Sequence, residues 1–500
     1  MRTLFLSFIF LFTYTFSFSQ NKADYTWIFG YSKKIAGTTD SCFGGNYFTF
    51  NDKEPKAKRI SMVGSMELVN TSYSDPKTGE LLFYTNGCYV INKLHQIMKN
   101  GDSLNKGGLS FVYMCFKGEG GNESQNHVIL PFLDGTNRLA LFHDTHISSN
   151  NVDSSYFNLS IIDMDKENGL GMVVQKQKLV LAVQVQCDHI TAVKNGNGRD
   201  WWILFRKRND NVFYRFLFTP KGIEKILTQA IGPKQPDAGG GGQTVFSPDG
   251  RKFVSYDPQN GISIFDFDRC TGLLSNQIII PTNNKTLQEA GCEISPNSRF
   301  LYTTTIDDIW QFDLKSEDIS ESKTLIDSLP TSSAFRCQTA PNGKIYICAV
   351  GGHKILHVIH NPNEKGRACN FKRDDFKLLT YSYASIPQFP RYRMSAWDGS
   401  PCDTLGINDP NQPIQLPDLK FKIYPNPVGE ILYIEAEGFT EPLTLYVYDV
   451  LGRVALKKIL APNYVVFQVD MENVLPGSYI WVLTDGKTAL KKGKLIRQRE

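Results

Sequence analysis

Several residue groups in this sequence have types and spacings that could do chemistry. His353, His357 and His360, and the pair His143 and His146 in His-Asp-Thr-His, are imidazole sets of the kind that hold zinc. Strand periodicity splits the first set: positions 353 and 357 share a face and 360 takes the other. No carboxylate lies near them in sequence, so they read as strand-edge histidines. Asp163-Met164-Asp165-Lys166-Glu167-Asn168-Gly169 alternates like a calcium loop, but its sixth position is Asn168 where the loop needs glycine. Asp266 and Asp268 recur in the same phase of another segment, so a strand-end turn accounts for both. Gly239 to Gly242 could cradle a phosphate, yet no Gly-Lys-Ser/Thr ending and no helix come after them. These glycines read instead as a place where backbones approach closely before an apolar strand. A G-x-S-x-G nucleophile elbow is absent from the sequence. No catalytic, cofactor-binding or metal residue is assigned. Cys337 and Cys348 flank the turn Pro341-Asn342-Gly343 and read either as a cross-hairpin disulfide or as two buried thiols.

The elements that position these residues repeat. A strand pattern ending at Asp or an equivalent occurs at Ser160–Asp165, Ser263–Asp268 and Ile309–Leu314, with weaker copies at Tyr214–Phe218 and His357–Asn361. Its register residues are 163, 217, 266, 313 and 360, a beat of 54, 49, 47 and 47 residues. A Pro-containing turn keeps the same beat at Ser247-Pro248-Asp249-Gly250, Ser295-Pro296-Asn297-Ser298 and Ala340-Pro341-Asn342-Gly343. Proline presets φ at the second turn position, and Asp, Asn or Gly tolerates the backbone of the next ones. Four strands in 45 to 50 residues is the unit of a β-propeller blade. Leu81–Asn92 and Tyr47–Asn51 extend the series to seven blades, with an insertion within Gly101–Gln125. The first unit lacks an inner strand, which Ser385-Ile386-Pro387-Gln388-Phe389 would supply to close the ring.

Gly79-Glu80-Leu81-Leu82-Phe83-Tyr84-Thr85-Asn86-Gly87, Asn92-Lys93-Leu94-His95-Gln96-Ile97-Met98 and Trp27-Ile28-Phe29-Gly30 resemble segments of WD40-like propeller proteins exported by Bacteroidetes. The resemblance covers about residues 25 to 390, with Asn86 in place of the usual Asp. It implies a propeller and says little of activity.

The pattern changes near the C-terminus. Residues 403–420 have linker composition, with Asp409-Pro410-Asn411-Gln412-Pro413 at their centre. Residues 421–500 then carry short alternating strands with glycine turns, the pattern of a small β-sandwich. Four motifs fall there in order: Tyr424-Pro425-Asn426-Pro427, Tyr448-Asp449 with Gly452-Arg453, Gly477 with Tyr479, and a basic terminal strand around Lys494. Together they resemble the type A sorting domain of type IX secretion cargo. The resemblance implies that residues 421–500 engage the type IX secretion machinery, and that the cargo is then released or attached to the surface.

The remaining features bound the function. Arg2, the apolar run Leu4–Phe18 and small residues at 17 and 19 make residues 1–19 a secretory signal peptide. No later stretch is apolar enough to span a membrane. A net charge of +4 over 500 residues, with no basic stripe, argues against nucleic-acid binding. The expected architecture is all-β: a propeller over residues 20–402, a linker and a sandwich. The expected protein travels through the periplasm to a secreted or outer-membrane surface location, without a cofactor. Its leading reading is a binding protein for a glycan or an envelope protein. The alternatives are a polysaccharide hydrolase or lyase acting at the channel mouth, and a structural part of a surface or gliding apparatus. Carboxylates or histidines at that mouth would favour an enzyme; aromatics and amides would favour binding.

Overall fold

The computed structural model describes residues 21–498 except 32–41, 53, 107–114, 116–120, 122–124, 150–151, 187–188, 237–240, 283–288, 331, 385, 404–419, 438–441, 451, 462–465 and 485–488. The signal-peptide reading and nearly all of the linker reading therefore fall outside the described residues. The chain divides into two compact units, residues 1–397 and 398–500.

Among the described residues the first unit is a propeller of seven antiparallel sheets. Blade 1 has strands Thr26–Tyr31, Gly44–Thr49 and Lys56–Ile60. Blade 2 has Thr71–Ser74, Leu81–Thr85 and Val90–Asn92. Blade 3 has His127–Pro131, Arg138–Ser149, Val152–Asp163 and Met172–Ala182. Blade 4 has Thr191–Lys194, Trp201–Arg206, Val212–Thr219 and Gly222–Ala230. Blade 5 has Gln243–Phe246, Lys252–Asp257, Gly261–Phe267 and Leu274–Ile280. Blade 6 has Gly291–Ile294, Phe300–Thr304, Asp308–Asp313 and Thr324–Ser328. Blade 7 has Cys337–Thr339, Ile345–Cys348, His353–Ile359 and Phe371–Ser382.

Burial follows position within a blade. Gln243–Phe246 is buried at every residue, whereas Leu274–Ile280 is mostly exposed. Neighbouring blades cover both faces of the inner strands, so those strands are buried even where they carry polar residues such as Gln243, Thr244 and Glu293. The core lies between blades: Val193, Trp202 and Leu204 of blade 4 pack with Phe246, Phe253 and Phe265 of blade 5. The ring closes between blades 7 and 1. Asn46 Oδ1 accepts from Leu379 N (2.9 Å) and Thr380 N (3.1 Å), and its Nδ2 donates to Thr380 O (3.1 Å).

The repeated turns sit where the beat places them. Gly250, Ser298 and Gly343 all take positive φ (72°, 58° and 79°) between the first and second strands of blades 5, 6 and 7. Asp163 and Asp313 end the third strands of blades 3 and 6.

Four antiparallel strands return the chain to the face on which each blade began. The blade-to-blade connections and the second-to-third turns therefore share one face, the connection face. The Pro-containing turns occupy the opposite, turn face.

The second unit is a sandwich of two sheets. One has the order Lys420–Tyr424, Ile431–Glu437, Val466–Asp470. The other has the order Val454–Leu460, Leu443–Tyr448, Gly477–Thr484, Ala489–Arg497. Val428, Leu432, Ile434, Leu445, Val447, Leu483 and Leu495 fill the space between them.

Candidate functional site

Among the described residues the axis of the propeller is filled. Gln243 Nε2 donates to Cys337 O (2.7 Å) and Gln388 Oε1 (2.9 Å), and its Oε1 accepts from Cys292 N (3.0 Å) and Cys337 N (3.2 Å). Gln125 spans the next gap, with Nε2 on Thr244 O (2.7 Å) and Oε1 accepting from Thr244 N (2.8 Å). These amides saturate inner-strand backbone that has no ladder partner across the axis. The void left among Gln125, Thr244, Glu293, Gln338, Gln388 and Arg391 measures about 10 Å³, room for one water.

Residues 386–397 form a strap along this axis. Gln388 N donates to Asn70 O (3.2 Å) and Phe389 N to Gln338 Oε1 (3.3 Å), so the segment occupies the inner position of blade 1, between blades 7 and 2. That is the place expected for an inner strand, but no ladder forms, because Pro387 and Pro390 lack N–H donors. Arg391 then pairs with Glu293 and donates from Nε to Phe246 O (3.1 Å). Tyr392 Oη donates to Ile129 O (2.6 Å) and Arg393 pairs with Asp24. Ser395 O accepts from Arg269 Nη2 (2.6 Å), and Trp397 N donates to Gly196 O (2.7 Å). The strap begins beside the start of the first strand of blade 2 and leaves past the end of that of blade 4. It thus passes from the connection face to the turn face.

The connection-face end of the axis is polar. His189 precedes the first strand of blade 4, Arg336 that of blade 7, and Arg206 ends the second strand of blade 4. All three are buried. Burial, then the positive charges of Arg206 and Arg336, hold the His189 imidazole well below its ordinary range, so it is neutral at pH 7. Arg206 Nη2 lies 3.7 Å from Asp257 Oδ2, and Arg206 Nη1 donates to Asp210 O (2.9 Å). Burial pushes the Asp257 carboxyl up, opposed by hydrogen bonds from Asn260 and Gln259 and by Arg206. A Cβ on Gly242 would stand 2.6 Å from Tyr256 O and 2.8 Å from His189 Nε2. The described part of the glycine run therefore serves close backbone approach, as the sequence suggests. His189, Arg206, Asp257 and Arg336 do not stand out in the sequence. They come from three blades, and their one sequence signal is phase: each lies just before a first strand or at the end of a second.

The other candidate residues separate in space. His357 Nε2 meets Ser333 O (2.9 Å) and its Nδ1 accepts from Asp374 N (3.1 Å), while His360 Nε2 pairs with Asp375 Oδ2 (2.8 Å). The carboxylate missing nearby in sequence comes from the adjacent fourth strand. His143 is buried, with Nδ1 on Asn105 Oδ1 (2.5 Å) and Nε2 on Ser160 Oγ (2.9 Å), and its ring stacks on His127 at 5.7 Å. The side chain of His146 lies outside the described residues. Asp163 Oδ1 accepts from Asp165 N (3.0 Å), a strand-end turn. Among the described residues no three metal-ligating side chains converge. Cys337 and Cys348 are both free and buried. Cys337 stands opposite Ile347, so a one-residue offset sends the two sulfurs to opposite faces of the sheet. A disulfide does join Cys88, between the second and third strands of blade 2, to Cys115 in the insertion that follows.

In the second unit the motifs meet. Asn426 Nδ2 donates to Lys494 O (3.0 Å) and Asn426 Oδ1 accepts from Ile496 N (3.0 Å). Tyr424 stacks on Tyr433 and donates to Glu435 Oε1 (2.7 Å), and Pro425 and Pro427 flank Asn426 on the surface. Asp449 accepts from Arg453 N (2.9 Å) and Nε (2.7 Å), while Gly452, at φ 78°, completes the hairpin after Tyr448. Tyr479 Oη donates to Leu475 O (2.5 Å), tying Gly477 and its turn to the strand.

Comparison with known proteins agrees with this motif geometry. Residues 422–498 match the family described as secretion system C-terminal sorting domain. No curated protein matches the chain in sequence. Among solved structures, a candidate 6-phosphogluconolactonase from Bacteroides uniformis aligns at 15% identity and a TM-score of 0.42, over 72% of this chain and 98% of its own. PorZ, a surface component of the type-IX secretion system of Porphyromonas gingivalis, aligns at 9% identity and a TM-score of 0.30, over 92% of this chain and 68% of its own. The β-propeller domain of Cps50 (Swd1) from Myceliophteria thermophila aligns at 10% identity and a TM-score of 0.29, over 67% and 87%. No described helix is long and apolar enough to cross a membrane. The chain carries a C-terminal sorting domain of the type IX secretion system and is an exported protein, secreted or held at the cell surface.

Proposed function

We propose that the propeller, residues 20–402, is a binding module that recognises a glycan or an envelope protein through its connection face. In this reading residues 1–19 direct entry to the periplasm, 403–420 link the domains and 421–500 direct export. The observation that carries it is the filled axis. Ligand pockets normally measure hundreds of cubic ångströms, whereas the axial void holds about one water. Recognition in such a ring falls to the loops at its rim. The strap runs out on the turn face, and the blade-to-blade connections lie on the other. A histidine and a carboxylate do stand at that end, the feature that would favour an enzyme. Yet His189 and Asp257 are buried, and Asp257 pairs with Arg206, so this ion pair joins blades 4 and 5 rather than facing a substrate.

The test is a thermal-shift screen of the full mature chain against polysaccharide fragments and envelope extracts, with product analysis of any hit. A ligand held only by the folded state raises the midpoint by mass action. A shift without cleavage supports the module. Release of new reducing ends or unsaturated sugars would replace it with the hydrolase or lyase reading.

A further inference from the structure

The terminal strand Ala489–Arg497 lies at the edge of its sheet, and an open edge exposes unpaired backbone. Here a segment 70 residues earlier covers part of it. Besides the two bonds of the Asn426 side chain, Val428 N donates to Ile496 O (2.8 Å) and Gln498 N to Val428 O (3.1 Å). Val428 itself is fully buried between the sheets. The first and last motifs of the domain are thereby one structural piece.

The strand so held completes a stripe across the outer face of the sheet. Register aligns Val454 with Tyr448, Tyr448 with Ile480, and Ile480 with Lys494. Val454 is 53% exposed, Ile480 51% and Ile496 46%. Tyr446 stacks beside Tyr448, and Lys457 stands over the Tyr446 ring at 5.5 Å. In the next row Val482 faces Lys492. The result is an apolar and aromatic band bordered by Lys457, Lys492 and Lys494. A band this exposed on a small domain marks an interaction surface, and its border selects a partner with acidic groups around an apolar patch.

We infer that Asn426 is a positioning residue: it fixes the terminal strand so that Tyr448, Ile480, Lys494 and Ile496 form one surface, which docks on an acidic-rimmed apolar patch of the export machinery. This inference rests on the sorting-domain reading of residues 421–500.

The experiment uses the full chain in a type IX-competent host and compares Asn426→Ala, Lys494→Glu and Val469→Ala. Val469 is buried beneath the opposite sheet, so its truncation lowers stability without touching the stripe. Hydrogen exchange on the purified chains reports the edge bond. Loss of one such bond speeds exchange at the Ile496 amide about tenfold. Asn426→Ala and Lys494→Glu are expected to accumulate inside the cell, only the former with faster exchange, while Val469→Ala is exported normally. Export of either stripe variant at the wild-type level overturns the inference, as does an equal loss for Val469→Ala. A chain lacking residues 398–500 separates the two readings: its normal export would remove the sorting-domain reading itself.

Discussion

Removing the Arg391 guanidinium tests whether the strap locks the ring electrostatically. Glu293 is 1% exposed, and its carboxylate is held by Ile294 N (2.8 Å), Thr339 N (2.9 Å) and Arg391. Arg391→Met keeps the aliphatic stem and deletes the charge. Breaking a buried pair from one side costs about 3–5 kcal/mol, because the remaining charge is uncompensated. Two backbone N–H groups still serve Glu293, which places the expected cost near the lower limit, about 3 kcal/mol. A unit of this size unfolds with an entropy of roughly 0.8 kcal/mol/K, so the midpoint should fall by about 4 °C. Glu293→Gln alone should cost less, since the Arg391 side chain is 15% exposed and can take up water. The double variant Glu293→Gln/Arg391→Met should cost less than the sum of the singles by at least about 1 kcal/mol. Differential scanning calorimetry of the mature chain measures all four corners of the cycle. An Arg391→Met midpoint within about 1 °C of wild type, or strict additivity, would refute the lock.

Three further outcomes rest on the same geometry. Burial lowers the pKa of His127 to about 3 and holds His143 and His189 well below their usual range; the unfolded chain takes up their protons below about pH 6.5 and the folded chain does not. Stability is therefore full above about pH 6.5 and falls below it, by about 2 kcal/mol per histidine between pH 7 and 5, and a melting midpoint flat across that range would contradict this. Gly291→Ala should cost at least about 2 kcal/mol, because its Cβ would stand 2.1 Å from Phe335 O of the next blade. Gly343→Ala, at φ 79° with nothing within 4 Å, should cost only about 1 kcal/mol of backbone strain; equal midpoints for the two would show that blade contact does not set the requirement. Replacing Cys88 and Cys115, 27 residues apart, with alanine should remove about 3.5 kcal/mol by the loop-entropy relation, read as a lower urea midpoint.

The blades were legible because a propeller repeats its local chemistry. The strand-ending Asp163 and Asp313, each accepting a backbone N–H two residues on, and the turns at Pro248, Pro296 and Pro341 solve the same backbone problem each time, so the same residue types return at the same interval. The closure of the ring was legible only in part. An inner position was missing from the first unit, and residues near 388 fill it. The extent of the strap to Trp397 was hidden, because its partners Asp24, Ile129, Gly196, Phe246 and Glu293 are scattered over five blades and bind it largely through backbone carbonyls. A carbonyl leaves no trace in side-chain identity. The link from Asn426 to Lys494 was hidden for the same reason: both motifs were visible, but the bonds that join them end on the backbone of the terminal strand.

The positions that do not repeat point the other way. Within two residues before the first strands of blades 2 to 7 lie Asn70, Asn126, His189, Gly242, Glu289 and Arg336. They share a place in the blade but no side-chain chemistry: two amides, an imidazole, a glycine, a carboxylate and a guanidinium. At the turn phase the blades are interchangeable, since Gly250, Ser298 and Gly343 adopt one conformation. Packing alone would let the connection-face positions converge on one solution as well, because every blade sets a first strand along the axis. That they instead hold such different chemical groups from blade to blade makes the ring asymmetric on this face. Asn70, Asn126, His189 and Arg336 are buried, so the asymmetry lies in how neighbouring blades are joined at this end of the axis.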